Sequence, residues 1–500
     1  MYSELYLRLE PLGLERVATA LMEDGHEVRM VDLQVYTKRD YLRLLDDFRP
    51  QAVGMSLNYL ANVPEVVDLA KATKAVAPAT KVFVGGHSVS FIAERVLAHA
   101  EGAIDAVLRG EGESGAPLLV QALCDGDLAA APGAVGLGVT GPAPETVHGI
   151  DEHLPARHIG GRRRKYFIGT LDPCASIEFS RGCPWDCAFC SAWTFYGRSY
   201  RQVTPEVAVE DLERVKEPGV FLVDDVAFIK PEHGMTIARE VERRKIKKEY
   251  YLETRTDVLV RQPEVFRYWK RLGLNYMFLG IESIDQEGLK AFRKRSSIDV
   301  NAQALQLARD IGLSVAVNII VDPAWDEKQF QSVREWALSV PEIVHLTVQT
   351  PYPGTETWHS ESRKLTTRDY RLFDIQHAVL PTTLPLPRFY EELVKTQSIL
   401  ARKHLGVAAL AKTTGIVARH LAHGQTNFLK MIWNFSRVYN AERQLADHSM
   451  DVAYELPEPP QPPAKAPERS DLYVHIPVRL REKVRSGAAA PGAGPPVLGA

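Results

Sequence analysis

Short apolar runs alternate with stretches of helical period twice along this chain, and that alternation constrains its fold more than any other feature. In the first 126 residues the order is helix Pro11–Asp24, strand Glu27–Asp32, helix Arg39–Phe48, strand Ala52–Leu57, helix Val63–Val76, strand Lys81–Gly85, helix Ser90–His99, strand Asp105–Leu108 and helix Glu113–Cys124. Helices between short apolar strands predict an α/β, doubly wound (Rossmann-like) parallel sheet. Such sheets bind ligands at the carboxyl ends of their strands. A sheet of this kind ordinarily opens with a strand, yet residues 1–10 read as a loop feeding a helix. The expectation is a domain over 1–126 that lacks its first strand, either because the native start lies upstream or because the strand has been lost.

The alternation restarts near Ala175. Strands are expected at Ala175–Ser180, Val220–Asp224, Tyr250–Arg255, Tyr276–Glu282, Ser314–Val321 and His345–Thr350. Helices are expected at Pro205–Lys216, Pro231–Lys245, Pro263–Arg271, Gln286–Arg293, Asn301–Ile311 and Glu327–Leu338. Six such units are too few to close an eight-unit barrel and predict a partial (β/α)6 barrel over 173–365. Its chemistry is expected at the carboxyl ends of the strands.

Three of the five cysteines fall directly after the first of these strands, as Cys183, Cys187 and Cys190, spaced C-x3-C-x2-C. Thiolates this close on one loop can converge on a soft-metal centre. A closed structural zinc site needs four ligands, and no histidine or fourth cysteine follows within about forty residues. Three ligands suit an iron–sulfur cluster that keeps one iron open. A zinc knuckle is the plainer reading and a [4Fe–4S] cluster the sharper one.

Residues 127–172 read as a connector, rich in Ala, Gly and Pro over Ala130–Pro144. Its basic run Arg162-Arg163-Arg164-Lys165 is read as a solvated linker, with contact to a membrane surface or a phosphate as the alternative. Residues 366–455 lack strand signals and predict a helical domain, with helices at Phe389–Lys403 and Phe428–Asp447. In the second, Phe428, Met431, Ile432, Phe435, Val438 and Tyr439 form an apolar stripe, read as core or as a lid or membrane-facing surface. Residues 456–500 turn to Pro, Ala and Gly and read as a disordered tail. Sixty basic against 63 acidic residues give a net charge of −3, which provides no field for nucleic acid. Five cysteines make no disulfide framework, and no apolar run approaches the roughly 18 residues of a membrane span. The expected location is the cytoplasm, with peripheral contact at the inner membrane if the substrate is a lipid.

Ser180-Arg181-Gly182 followed by C-x3-C-x2-C is the pattern of the radical S-adenosylmethionine superfamily, and the chain resembles its members that carry a cobalamin domain ahead of the barrel. By that resemblance Cys183, Cys187 and Cys190 hold a [4Fe–4S] cluster. Ser56, Gly85, Gly86 and the loop Gly110-Glu111-Gly112 line the cobalamin. The strand ends carrying Asp224, Arg255, Glu282 and Ser283 bind S-adenosylmethionine, Arg255 being the natural carboxylate partner. Many such cobalamin domains carry D-x-H-x-x-G, whose histidine binds cobalt. Counting back from Gly13 places Arg8 and Glu10 at the Asp and His positions, so the cobalt is expected to lack a histidine ligand. The fifth strand departs from the usual Gly-x-Pro-Gly-Glu ending and reads Asp322-Pro323-Ala324-Trp325-Asp326-Glu327. Trp325 is read as packing, or as shaping the substrate side.

Closer similarity to hopanoid C-3 methylases runs through Tyr6–Glu15, Ser56–Glu65, Ser180–Tyr200 and Asn427–Ala446. It implies methylation of an unactivated sp3 carbon, C-3 of the hopanoid A ring, from methylcobalamin after hydrogen abstraction by a 5′-deoxyadenosyl radical. It implies an apolar substrate and an electron donor such as flavodoxin or ferredoxin. The rival readings are another cobalamin-dependent radical methylase, an oxidative cyclase, or a non-catalytic corrinoid or iron–sulfur regulatory protein. No catalytic residue beyond the cluster ligands is assigned.

Overall fold

The computed structural model describes residues 7–147, 149–403, 407–456, 458 and 472–475, without the side chains of 407–412 and 434–438. Two sheets organise it. The first opens on three parallel strands, Ala52–Ser56, Lys81–Gly85 and Ala106–Leu108, paired in that order. Helices Leu12–Glu23 and Gly112–Asp125 cover one face, packed on each other, while Val63–Val76 and Ala93–Ala100 cover the other.

The expected strand Glu27–Asp32 is not formed. Val28, Arg29, Met30 and Val31 line one wall of a cavity whose other wall includes the unpaired edge of Ala52–Met55. Two extended segments with that gap between them cannot exchange ladder hydrogen bonds, so Glu27–Asp32 stays irregular. Leu7–Arg8 does not enter the sheet either and pairs with Phe167–Ile168. The expected helix Ser90–His99 is divided into a 3-10 turn, Val89–Phe91, and the helix Ala93–Ala100.

The connector is more structured than a linker. Ala134–Gly136 and Val139–Thr140 add two antiparallel strands to the first sheet. In the basic run, Arg163 pairs with Glu10 and with Glu217 at 2.9 Å, so one of its four charges is drawn into the protein. Arg162, by contrast, stays outside, its guanidinium 4.1 Å over the Tyr36 ring.

The second sheet has six parallel strands in sequential order: Cys174–Ile177, Gly219–Leu222, Glu249–Arg255, Leu274–Glu282, Ser314–Val321 and Ile343–Val348. Sequential order with helical crossovers is the open barrel expected, and the layer between its strands and the helices outside them is the largest apolar core among the described residues. Trp325 packs on that core, edge-on to Phe330 at 5.5 Å.

Beyond the barrel, helix Leu386–Lys403 closes the sixth strand. Helix Val407–Ala422 was not expected. The expected helix Phe428–Asp447 breaks in two, Asn427–Val438 and Ala441–Asp447, because the Asn440 side chain accepts from Arg443 N and starts a new helix. Of the apolar stripe, Phe428 is buried and Ile432 exposed, while Phe435 and Val438 lie outside the described side chains. Most of the expected disordered tail lies outside the described residues. Leu456 and Leu472–His475, however, are ordered: Val474 N donates to Thr194 O at 2.9 Å, and His475 is buried.

Candidate active site

The cysteine loop follows the first barrel strand and is braced on every side. Gly182, at φ +92°, passes so close to Ser199 O that a Cβ would stand 2.3 Å from it, so only glycine fits. Trp193 Nε1 donates to Cys187 O at 3.0 Å, and Ala188 N donates to Phe292 O at 3.0 Å. Arg295 pairs with the buried Asp186 at 2.8 Å. Burial, reinforced by the neighbouring cysteines, pushes Cys190 up to about 12 and Cys183 further still. Thiols crowded together this way stay protonated until a metal centre draws them to the thiolate form. Three thiols on one loop, with no fourth cysteine or histidine in the motif, are the donor set of an iron–sulfur cluster that keeps one iron open, whereas a closed zinc site takes four ligands.

Around the loop, the strand ends divide into residues already engaged and residues open to a ligand. Asp224 is engaged: its carboxylate accepts from Phe179 N at 2.8 Å and from Ser180 Oγ, and burial pushes it up to about 7. Glu282 is paired with Lys294 at 2.8 Å, and Ser283 Oγ accepts from Asp285 N. Arg255 pairs with Asp257 and donates to Lys294 O, but its Nη1 lies 3.7 Å from Cys187 Sγ and its guanidinium 4.4 Å over the Trp185 ring. Asp225 and Glu253 are the open ones. Asp225, accepting from Gly182 N at 2.8 Å, is pushed up to about 6 by the protein packed round it. Glu253 is pushed up to about 7 by burial and then by the charges of Asp225 and Glu282. Neither was singled out from sequence as a site residue, although both stand in the strand-end motifs read there.

The cavity at the carboxyl ends of the first sheet encloses about 990 Å3. Ser56, Gly85, Gly86, Gly110, Glu111 and Gly112 all line it. Gly86, at φ +126°, has no room for a Cβ, which would stand 2.7 Å from Asn58 Oδ1 and 2.8 Å from Leu57 O. Glu111 is engaged on both counts: its carboxylate is held by Arg181 and Arg201, each at 2.8 Å, and its N–H donates to His475 Nε2 at 3.1 Å. Burial opposes ionisation of Glu111, and the two arginines more than offset it, holding it below the usual range. Glu10, at the position of the missing cobalt-binding histidine, is locked to Arg157 at 2.7 Å and to Ser176 N at 2.8 Å, and does not line the cavity. A glycine-walled cavity of this size fits a bulky corrinoid.

Of the contacts that join the halves, two stand beside the cysteine loop. Arg181, between the first barrel strand and the cysteines, pairs with Glu111 and Glu113 of the first domain and Glu178 of the barrel at 2.7–2.8 Å. His87, next to Gly86, lies 2.8 Å by Nε2 from Ser191 Oγ and stacks on Phe195 at 4.6 Å. Burial pushes this imidazole down to about 4, so it is neutral. Tyr59, on the loop after Ser56, lines the same cavity as Glu178, Arg181, Tyr196 and Val223 of the barrel, so the open ends of the sheet and barrel face one another; burial first and the charge of Glu253 second push its phenol up. Nothing in the local sequence around His87 or Tyr59 marks them, since each matters through a partner in the other half.

Comparison with known proteins agrees with this architecture. The family model for the B12 binding domain matches residues 2–120, and that for the radical SAM superfamily matches residues 177–337. The chain is therefore a cobalamin-domain radical SAM enzyme. The hopanoid C-3 methylase of Methylococcus capsulatus (strain ATCC 33009 / NCIMB 11132 / Bath) is 59% identical over 476 residues, covering 95% of this chain and 92% of that protein. The chain belongs to the hopanoid C-3 methylase family, a group of radical SAM methyltransferases. Among solved structures, the cobalamin-dependent radical enzyme OxsB with aqua-cobalamin and S-adenosylmethionine bound superposes with a TM-score of 0.66 at 16% identity, over 89% of this chain and 73% of that one. The methyltransferase TsrM from Kitasatospora setae, with tryptophan and a SAM analogue bound, gives 0.58 at 17% identity, over 72% and 75%. At these identities the two structures share the fold.

Proposed function

We propose that this protein methylates an unactivated sp3 carbon of an apolar lipid, C-3 of the hopanoid A ring. The observation that carries the reading is the opposition of two cofactor walls, a cysteine loop on a barrel and a glycine-walled corrinoid cavity, in a chain 59% identical to a hopanoid C-3 methylase. When bound, the cluster and S-adenosylmethionine supply a 5′-deoxyadenosyl radical, and cobalamin supplies the methyl group. Cys183, Cys187 and Cys190 are assigned to the cluster. Arg255 lies against the Cys187 sulfur, and its cation suits a site that gathers negative charge.

Asp225 and Glu253, rather than the engaged Asp224 and Ser283, are the better partners for the cationic S-adenosylmethionine. Ser56, Gly85 and Gly86 admit the corrinoid by keeping side chains out of its way, and His87 ties that wall to the cluster loop. Enclosure between the two halves excludes water from a reactive carbon. The reductant is assigned to a small electron carrier, flavodoxin or ferredoxin.

The test is deletion of the gene in a hopanoid-making host, followed by lipid mass spectrometry. Loss of 3-methylated hopanoids, restored by the gene, is expected; an unchanged profile rejects the substrate. In reconstituted enzyme, 5′-deoxyadenosine and S-adenosylhomocysteine should both track product. A cyclase would form no product-linked S-adenosylhomocysteine.

A further inference from the structure

The helical hairpin Val407–Ala422 and Asn427–Val438 has a surface that the reaction does not use. Its inner side packs on the floor of the barrel. His420 lies 3.1 Å from Thr170 O, and Asp172, just before the first strand, accepts from Asn427 Nδ2 at 2.8 Å and Phe428 N at 3.2 Å. Its outer side exposes large apolar groups close together: Leu421 is 48% exposed, Leu429 42%, Ile432 42% and Trp433 71%. The last three have the helical spacing that places them on one face. A soluble surface ordinarily scatters such groups.

The charge of the segment is as biased as its exposure. From Ala401 to Ala441 there is no Asp or Glu, although the chain as a whole carries 63 in 500, about one in eight. Lys412, Arg419, Lys430 and Arg437 fall within the same stretch. The basic run Arg162–Lys165 joins it, since Arg164 donates to His423 O in the hairpin turn and Asn427 Nδ2 donates to Arg164 O at 3.3 Å. An apolar, tryptophan-bearing face on helices that carry cations and no acidic residue of their own complements an anionic bilayer, where tryptophan settles at the headgroup level, although Arg419 is shared with Glu249 of the barrel at 3.4 Å. No helix among the described residues is long and apolar enough to cross a membrane, so the hairpin would lie on the surface.

We propose that the outer face of this hairpin docks the enzyme on the surface of a bilayer containing anionic lipid. The contact is at the amino ends of the barrel strands, so it leaves the opposite end, with the cysteines and the corrinoid cavity, uncovered. The inference stands on the surface alone and does not depend on the substrate.

The test is flotation of the full-length protein with vesicles of phosphatidylcholine, or of phosphatidylcholine with phosphatidylglycerol, neither containing hopanoid. Binding to the anionic vesicles only, weakened by salt, is expected. Lys430→Glu with Trp433→Ser should lower the partition constant by about tenfold or more. Leu338→Ser, at an exposed leucine elsewhere, should leave it unchanged. Iron and corrinoid content establish that each variant is folded, and Trp433→Ser alone serves if the pair is not. Absence of vesicle binding, or binding that the hairpin variants do not alter, overturns the proposal. So does light scattering in which the variant dissolves a dimer, since the face would then cover a second copy.

Discussion

Arg181→Met tests whether the two halves are held together by buried charge. Arg181 is 8% exposed by side chain and is bound by Glu111, Glu113 and Glu178, themselves 2–9% exposed. Glu111 keeps Arg201, and Glu178 keeps Arg16 at 3.2 Å. Removing one member of a buried pair costs about 3–5 kcal/mol, because the remaining charge is left without compensation. Linkage gives a similar figure. Burial alone would raise Glu178, yet Arg181 first and Arg16 next bring it from 4.5 down to about 2. At about 1.4 kcal/mol per unit, that shift is worth about 3 kcal/mol, shared between the two arginines. A carboxylate depressed in the folded state stabilises it above pH 4.5, and the contribution fades as pH falls towards 2. In Arg181→Met the balance tips towards the desolvation of Glu178, so the deficit should be about 3 kcal/mol at pH 8 and smaller at pH 5. Urea melts at both pH values, with Arg181→Lys as a charge-retaining control, measure it. Equal midpoints for wild type and Arg181→Met at pH 8, or a deficit that does not shrink at pH 5, would refute the reasoning.

Cys187→Ala should lose the iron–sulfur absorbance and all cleavage of S-adenosylmethionine while retaining corrinoid, and iron analysis checks it. Gly86→Val forces a β-branched residue to φ +126° with its Cβ 2.7 Å from Asn58 Oδ1, and should cut bound cobalamin by about tenfold or more while iron stays constant. Glu253 ionises near pH 7, so affinity for the cationic S-adenosylmethionine should rise severalfold from about pH 6 to pH 8. Glu253→Gln should flatten that rise in equilibrium dialysis, and an unchanged profile would remove Glu253 from the site.

Much of the architecture was legible because it rests on local period. The barrel strands fell within a few residues of expectation, Ser314–Val321 and the helix Val63–Val76 on their observed bounds. Two of the failures are places where a distant partner decides, and one turns on a local cap. Glu27–Asp32 has the composition of a strand and no neighbour to bond. Phe428–Asp447 has a continuous apolar period, and one capping side chain, Asn440, divides it. The tail composition argued for disorder, yet Leu472–His475 is ordered by Thr194, Phe195 and Glu111.

The sequence by itself determined the class of chemistry. Three cysteines at that spacing after a strand specify a soft-metal loop through short-range chemistry, and the resemblance those residues carry implies the cluster and, for the sheet with glycines at its strand ends, the corrinoid. Only the tertiary structure decided which side chains remain available to a ligand. Asp224 and Asp225 are adjacent in the chain, but one is taken up by Phe179 N and Ser180 Oγ, while the other keeps capacity facing the cleft. Glu111 was read as a cofactor residue and is turned to Arg181 and Arg201 across the domain junction. A buried carboxylate goes where its charge is compensated, and that partner is set by the packing of the two halves rather than by neighbours in sequence.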